Sequence, residues 1–251
     1  MRTVANSVCP AAWRVALVWG LLSSLAAVAV VPYVLTMLPK PLPLPVAALA
    51  AVFVVQVGLQ AFLLAWAGTA AGRRLGVGSP WLEARLRGEH PPLPRSLGRM
   101  ALYGLGAGVL AAGIDLAFVS SMPPPLGGEL PRPSPWHGFL ASFYGGIAEE
   151  VLTRLGLATV LAWATARLFG RRAALAVGIV GSALLFGALH LPAAAQVWPL
   201  TALVVARTLL LNAILGVLFG AVYVRRGLEH AIVMHFAADI ALHVVLPLLL
   251  T

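Results

Sequence analysis

The sequence has few charged residues and a single cysteine. Charged residues make up 10% of its 251 residues and hydrophobic residues 61%, against roughly 25% and about 45–50% in an ordinary soluble domain. Cys9 is the single cysteine, which excludes a disulfide framework. Disorder is also excluded, because disordered segments are rich in charge and poor in apolar residues. The remaining class is a membrane protein that crosses the bilayer several times, in agreement with a mean hydropathy of +0.94.

Long stretches without charge determine the predicted architecture. A spanning helix needs about 20 apolar residues, and prolines and glycines mark the breaks. The sequence therefore predicts an all-α polytopic transmembrane bundle with about seven spans. They are 12–31, 46–71, 98–121, 137–166, 173–191, 199–224 and 228–250. Proline-rich connectors at 39–45 and 122–135 separate the first span from the second and the third from the fourth.

The first apolar stretch has a second interpretation. Residues 15–31 are also compatible with the core of a cleaved signal peptide. The apolar run continues to Leu38, and this favours a retained first helix.

Basic residues are distributed unevenly along the chain. With a cytoplasmic amino terminus, Lys40 and Arg132 fall outside the membrane, whereas thirteen arginines fall inside, six of them in the loop 72–99. The positive-inside rule therefore predicts this orientation. It also accounts for the net charge of +9 without a nucleic acid partner, and lipid is the expected surrounding. The arginine-rich composition resembles that of a GC-rich bacterium, so we expect the bacterial cytoplasmic membrane.

The fourth predicted span contains Glu149, Glu150 and Arg154. A charge at mid-bilayer costs about 2.5–3.5 kcal/mol, so each such residue is a site hypothesis. The alternative is an internal ion pair, with Glu150 and Arg154 at i, i+4. One guanidinium does not neutralise two carboxylates, so the surplus acid requires a proton, a metal or a partner on another helix. The glutamates are about 100° apart around the helix and are not expected to reach the same point.

Two later spans carry further polar groups. His190 ends the fifth span one turn after Phe186, where a satisfied interfacial histidine is the alternative to a ligand. In the seventh span His235 and Asp239 are four residues apart, a spacing that fixes a tautomer or shares a metal. Other polar residues of the spans are expected to pair with one another, to line the cavity or to support the site; they are Asp115, Arg207, Asn212 and His243. The pairs Gly104/Gly108 and Gly216/Gly220 predict close helix contacts.

The three polar groups, taken in order, resemble one family. Glu149-Glu150-x-x-x-Arg154, Phe186-x-x-x-His190 and His235-x-x-x-Asp239 are similar to the signature motifs of the CPBP intramembrane proteases, which include the CAAX prenyl endopeptidases and the bacterial Abi proteins. The resemblance covers about 137–245. It implies a catalytic core of about four helices at 136–251, after an N-terminal part of about three helices at 1–135. One departure is Asp239, where the family usually has asparagine.

The resemblance implies hydrolysis of a peptide bond in a membrane-associated protein or peptide. Glu149 would be the general base, His190 would bind or polarise the water, and His235 with Asp239 would face the oxyanion. Arg154 would orient or neutralise the two glutamates.

Asp239 leaves two alternatives open, because an ionised carboxylate repels an oxyanion. Either Asp239 is protonated or orients His235, or a divalent metal such as zinc is bound by Glu149, His190, His235 and Asp239. The sequence contains neither a His-Glu-x-x-His zincin motif nor a Gly-x-Ser-x-Gly elbow. A non-catalytic membrane scaffold or immunity protein of the same fold, and a proton-coupled transporter, are the alternative functions. The sequence assigns no oligomeric state.

Overall fold

The structure is a computed structural model that describes residues 9–38 and 45–249. Its first part contains α1 (Ala12–Met37), α2 (Val46–Leu75), the short α3 (Pro80–Leu86) and α4 (Ser96–Val119). The three long helices correspond to the first three predicted spans. Helix α1 passes through Pro32 without a break and is longer than predicted. Arg2, Lys40 and the prolines at 39, 41 and 43 lie outside the described residues.

The second part begins with α5 (Pro135–Phe143) and continues through two π-helical stretches, π1 (Tyr144–Glu149) and π2 (Val151–Ala158), into α6 (Thr159–Leu189). It ends with α7 (Leu191–Val197), α8 (Ala202–Arg226), α9 (Leu228–Ile240), π3 (Ala241–Val245) and α10 (Leu246–Leu249). The part of the chain that the structure describes is thus a helical bundle, as predicted.

Residues 9–38 and 45–249 include six helical stretches long and apolar enough to span a membrane. One of them, Pro135–Val197, has 63 residues and would measure about 95 Å as a straight helix. It breaks at Gly170, whose φ of 72° is accessible to glycine without strain. The two limbs fold back on each other, since a Cβ on Gly178 would lie 2.3 Å from the carbonyl oxygen of Ala158. Counted separately, the limbs give the seven predicted spans.

A shared core joins the two predicted parts of the chain. Buried side chains of α1 and α2 pack with side chains of π2, α8 and α9; they include Val15, Ala16, Trp19, Ala61, Ala65, Val151, Leu155, Tyr223, Leu228 and Ala231. The N-terminal helices therefore support the helices that carry the three motifs. The division into 1–135 and 136–251 stays a prediction.

Small residues set the helix spacing, as the sequence predicts. A Cβ on Gly104 would lie 2.1 Å from the carbonyl oxygen of Met234, so α4 packs directly on α9. A Cβ on Gly216 would lie 2.9 Å from the Cβ of Ala183, which joins α8 to α6.

Arginines from separate segments meet at one end of the bundle. Arg73 lies in the last turn of α2, and Arg225 and Arg226 lie in the last turn of α8; all three line one cavity. Arg171 follows the Gly170 break and donates from Nε to the carbonyl oxygen of Leu75 at 2.7 Å. The predicted topology places all of these arginines on the same side of the membrane, and their positions at one end of the bundle agree with it. The protein is an integral membrane protein, and its orientation and bacterial location stay predictions.

Candidate functional site

The ring of His235 is the point at which the polar side chains of the spans meet. Its Nδ1 lies 2.9 Å from Oε1 of Glu150, while its Nε2 lies 3.6 Å from Oδ1 of Asp239 and 3.8 Å from Oε2 of Glu149. One face of the ring stacks on Phe219, with centroids 4.4 Å apart. A single buried imidazole is therefore surrounded by three carboxylates, two of which come from another helical segment.

A buried ion pair anchors this ring. Arg154 Nη2 lies 3.3 Å from Oε1 of Glu150, and both side chains are fully buried. The guanidinium lies 5.1 Å from the ring of Phe186 and 5.8 Å from that of Phe219, which places it between two aromatic faces. Because Glu150 accepts a hydrogen from Nδ1 of His235, the histidine is oriented with Nε2 toward the other carboxylates. The predicted i, i+4 pair is confirmed, and the surplus acid has a partner on another helix.

The adjacent glutamates Glu149 and Glu150 contact the same ring. Glu150 approaches Nδ1 of His235 and Glu149 approaches Nε2. As predicted, the two glutamates do not reach the same atom, but both contact the same imidazole ring. An imidazole has nitrogen atoms on two edges, and the π-helical winding at π1 and π2 departs from the α-helix on which the prediction was based. Their surroundings differ, since 20% of the Glu149 side chain is exposed and none of the Glu150 side chain is.

Arg154 forms an ion pair with one of these glutamates, Glu150. Within the described residues no ion pair joins its guanidinium to Glu149, and Nη1 donates a hydrogen bond to the hydroxyl of Thr153. Among the described residues the ion pair of Arg154 is with Glu150, and the prediction that Arg154 orients or neutralises the two glutamates stays a prediction.

Two glycines allow the helix that carries His235 to reach the glutamates. A Cβ on Gly145 would lie 2.0 Å from Oδ2 of Asp239 and 3.2 Å from Nε2 of His235. A Cβ on Gly146 would lie 2.9 Å from the Cβ of Phe236. A side chain at Gly146 would push α9 away from π1, whereas a side chain at Gly145 would displace the carboxyl of Asp239.

The depth of His235 follows from the way α9 begins. His235 is only nine positions from Arg226, which by helical rise puts it nearer the basic end than the glutamates. Leu228 is nonetheless fully buried at the start of α9, and its backbone N–H donates to the carbonyl oxygen of Gly78 at 3.0 Å. The segment around α3 thus covers the first turn of α9, which begins inside the bundle and not at its surface.

His190 lies beside this cluster and is not bonded to it. Its Nδ1 donates to the carbonyl oxygen of Phe186 at 2.8 Å, which leaves Nε2 as an acceptor. The ring of Phe186 lies 4.6 Å from that of His190 and 6.0 Å from that of His235. In residues 9–38 and 45–249 no hydrogen bond or ion pair links His190 to the other predicted site residues.

Residues 131–241 match the family model of the type II CAAX prenyl endopeptidases, described as Rce1-like. All three motifs lie inside this match. Through this segment the chain is similar to the CPBP/CAAX protease family. The match covers somewhat less than half of the chain and leaves α1 to α4 outside it. No curated protein and no solved structure matches the chain.

The metal alternative is not tested by the positions of these side chains. Among the described residues no group of three or more His, Cys, Asp or Glu side chains is arranged to hold a metal ion. Nδ1 of His190 donates to a backbone carbonyl and Nδ1 of His235 donates to Glu150, so Nε2 is the atom that each ring would offer to a metal. The metal centre stays a prediction, and the mechanism below routes no step through a metal.

Other polar residues of the spans form separate contacts. Asp115 and Arg207 make a two-point ion pair at 2.5 and 2.7 Å, as one of the predicted alternatives requires. Asn212 does not join them and donates to the carbonyl oxygen of Thr208 at 2.8 Å. His243 meets the hydroxyl of Tyr33 at 3.5 Å.

Two contributors to the site are not recognisable from the sequence. Phe219 stacks on His235 but lies in an apolar helix whose composition does not distinguish it. Gly145 lies against Asp239, although in the sequence it indicates no more than a helix break. Neither contact has a local pattern, because the partners are 16 and 94 positions apart in the chain.

Proposed function

We propose that the chain is an intramembrane endopeptidase in which Glu149 activates water for attack on a peptide bond of a membrane-associated protein or peptide. The observation that supports this most directly is the environment of His235. A buried Glu150–Arg154 pair fixes its Nδ1, while its Nε2 faces the two more accessible carboxylates, Glu149 and Asp239. The match of residues 131–241 to the type II CAAX prenyl endopeptidase model supports the same class of reaction.

Charge balance assigns the protons of this cluster. Three carboxylates face one guanidinium, so a neutral cluster needs an imidazolium at His235 and one protonated carboxyl. Arg154 and His235 both contact Glu150, so we assign one of the two negative charges to Glu150. Of the remaining two, Asp239 is the less exposed, with 14% of its side chain accessible against 20% for Glu149. We therefore assign the proton to Asp239, which would then donate where the family usually has asparagine.

The reaction follows from these protonation states. Nε2 of His235 lies 3.6 Å from Oδ1 of Asp239 and 3.8 Å from Oε2 of Glu149. Both distances are longer than a direct hydrogen bond, and we propose that a water bridges these groups. Glu149 takes a proton from this water, and the oxygen attacks the carbonyl carbon of the substrate. Nε2–H of His235 and the carboxyl of Asp239 donate to the oxyanion. Glu149 then returns the proton to the leaving nitrogen, the C–N bond breaks, and an acid and an amine are released.

In this proposal His190 contributes to the attack of water on the peptide bond. Because its Nδ1–H is held by the carbonyl oxygen of Phe186, its Nε2 is an acceptor with a fixed direction. We assign to it the orientation of the attacking water.

The test is cleavage of a membrane-tethered reporter peptide by the full chain in liposomes. Glu149→Gln is expected to lower kcat by about 10²- to 10⁴-fold, the usual contribution of a general base, with an unchanged midpoint of thermal unfolding. Glu129→Gln is the matched control, because Glu129 is an exposed glutamate in the connector between α4 and α5. His190→Ala is compared in the same way with His90→Ala, an exposed histidine.

Wild-type activity in Glu149→Gln would contradict the assignment of the general base. If the folded wild-type chain cleaved no member of a library of membrane-tethered peptides, the non-catalytic scaffold would be the better description.

A further inference from the structure

A second feature of the bundle is a cavity of about 410 Å³ at the end where α2 and α8 terminate. Its wall consists of the residues after α2, the start of α3 and the turn between α8 and α9. Four arginines are among the described residues of this wall, Arg73, Arg87, Arg225 and Arg226, together with one carboxylate, Glu83. The wall thus carries a clear excess of positive charge.

Acidic neighbours neutralise only part of this charge. Arg73 lies 3.6 Å from Glu83, and Arg87 donates to Glu89 at 2.7 Å. Arg225 and Arg226 are exposed in the last turn of α8. Within residues 9–38 and 45–249 no carboxylate lies within ion-pair distance of either. Two guanidinium groups are therefore available to an anion.

Contacts within the protein hold the cavity in shape. Leu228 N–H donates to the carbonyl oxygen of Gly78 at 3.0 Å. The carboxylate of Glu229 accepts from Oγ of Ser79 at 3.1 Å and from the backbone N–H of Leu82 at 2.9 Å. These bonds tie the first turn of α9 to the segment around α3. A site that is already ordered loses little entropy when a ligand binds.

We infer that this cavity binds a phosphate-bearing anion, with Arg225 and Arg226 as its main contacts. A guanidinium presents several donors in a planar fork that matches phosphate oxygens. The last turns of α2 and α8 lie where spanning helices leave the hydrocarbon, at the level of lipid phosphates, and basic pockets between spanning helices bind anionic head groups. The ligand chemistry is a phosphate group, carried by an anionic lipid or free in solution.

This site is independent of the proposed hydrolysis, and its test needs no protease assay. The full chain is purified in neutral detergent, stripped of lipid, and titrated with phosphatidylglycerol, phosphatidylcholine or inorganic phosphate while tryptophan fluorescence reports thermal unfolding. A ligand that binds the folded state raises the midpoint in a saturable way. We expect this rise with phosphatidylglycerol and not with phosphatidylcholine.

Paired double variants identify the residues responsible. In Arg225→Gln/Arg226→Gln the phosphatidylglycerol concentration at half effect is expected to rise about tenfold or more. Arg95→Gln/Arg99→Gln removes the same charge from exposed residues outside the cavity and should behave as the wild type. Arg225→Lys/Arg226→Lys retains the charge and should recover part of the affinity. If the first double variant does not fold, Arg87→Gln on the opposite wall replaces it, with weaker binding expected.

The titrants separate the two sources of phosphate. A saturable shift with inorganic phosphate identifies free phosphate as a ligand, and a shift with phosphatidylglycerol alone identifies the lipid. The same dependence on phosphatidylglycerol in the cavity and control variants would overturn the inference. So would the absence of a saturable shift with either anion.

Discussion

Replacing Gly145 with alanine adds one methyl group at the place where π1 meets α9. The new Cβ would lie 2.0 Å from Oδ2 of Asp239 and 3.2 Å from Nε2 of His235. Real Cβ atoms essentially never approach a neighbour closer than 3.0 Å, so the Asp239 carboxyl must retreat by about 1 Å. The substitution thus displaces one group of the proposed oxyanion site and removes no polar atom.

The expected cost falls on activity and not on stability. The clashing atom is the end of a side chain, which can rotate away without moving the backbone. Alanine also favours a helix over glycine by about 1 kcal/mol, which offsets residual strain. We therefore expect the free energy of unfolding to change by less than about 1 kcal/mol. A displacement of about 1 Å in a catalytic constellation costs about 100-fold in rate, and kcat/KM should fall by that amount.

The assay is cleavage of the membrane-tethered reporter in liposomes, with unfolding followed in the same preparations. Gly106→Ala and Gly113→Ala on α4 are matched controls, because a Cβ at either position meets nothing within 4 Å. Both controls should retain wild-type kcat/KM. A folded Gly145→Ala variant with wild-type kcat/KM would refute the reasoning, since Asp239 would then tolerate displacement from Nε2 of His235.

Three further variants test the remaining polar contacts. Arg154→Met leaves Glu150 buried without its cation, so the free energy of unfolding in an SDS titration should fall by about 3–5 kcal/mol; a loss below about 1 kcal/mol would contradict the buried pair. Arg207→Ala should cost about 2 kcal/mol by the same measurement, because Asp115 is left unpaired in the membrane, and the exchanged pair Asp115→Arg/Arg207→Asp should recover much of it. Asp239→Asn should retain reporter cleavage, since an amide donates to the oxyanion at every pH, whereas complete loss would require the carboxyl itself.

The fold was largely predictable because membrane insertion restricts the alternatives. A charge-free stretch of about 20 residues has few other uses, so the long helices correspond to the predicted spans. The two limbs of the 63-residue stretch were separated in the prediction by the arginines at 167, 171 and 172, and Gly170 provides the break. Helix ends were predicted less well, since α1 continues beyond residue 31 to Met37 with no charge to stop it.

The composition of the site was predictable, and its internal geometry was not. Polar residues are costly in the membrane, so the few present identified His235, Asp239 and the glutamates as candidates. The contacts of these residues depend on how closely α9 approaches π1, and this is set by Gly146 and by the segment that covers Leu228. Such contacts join distant parts of the chain and leave no periodic pattern. The position of His190 beside the cluster also depends on contacts between distant parts of the chain, so it could not be predicted from a local pattern.

The register of a single arginine separates the roles of the two glutamates. Arg154 is four residues after Glu150 and neutralises it in a fully buried pair. The residue four positions after Glu149 is Thr153, whose hydroxyl donates to the backbone carbonyl of Glu149 and supplies no positive charge. Glu149 is therefore the carboxylate that is partly exposed, without a guanidinium partner among the described residues, and faces Nε2 of His235. A general base must be accessible to water and able to take up a proton, and of the two adjacent side chains only Glu149 meets both requirements.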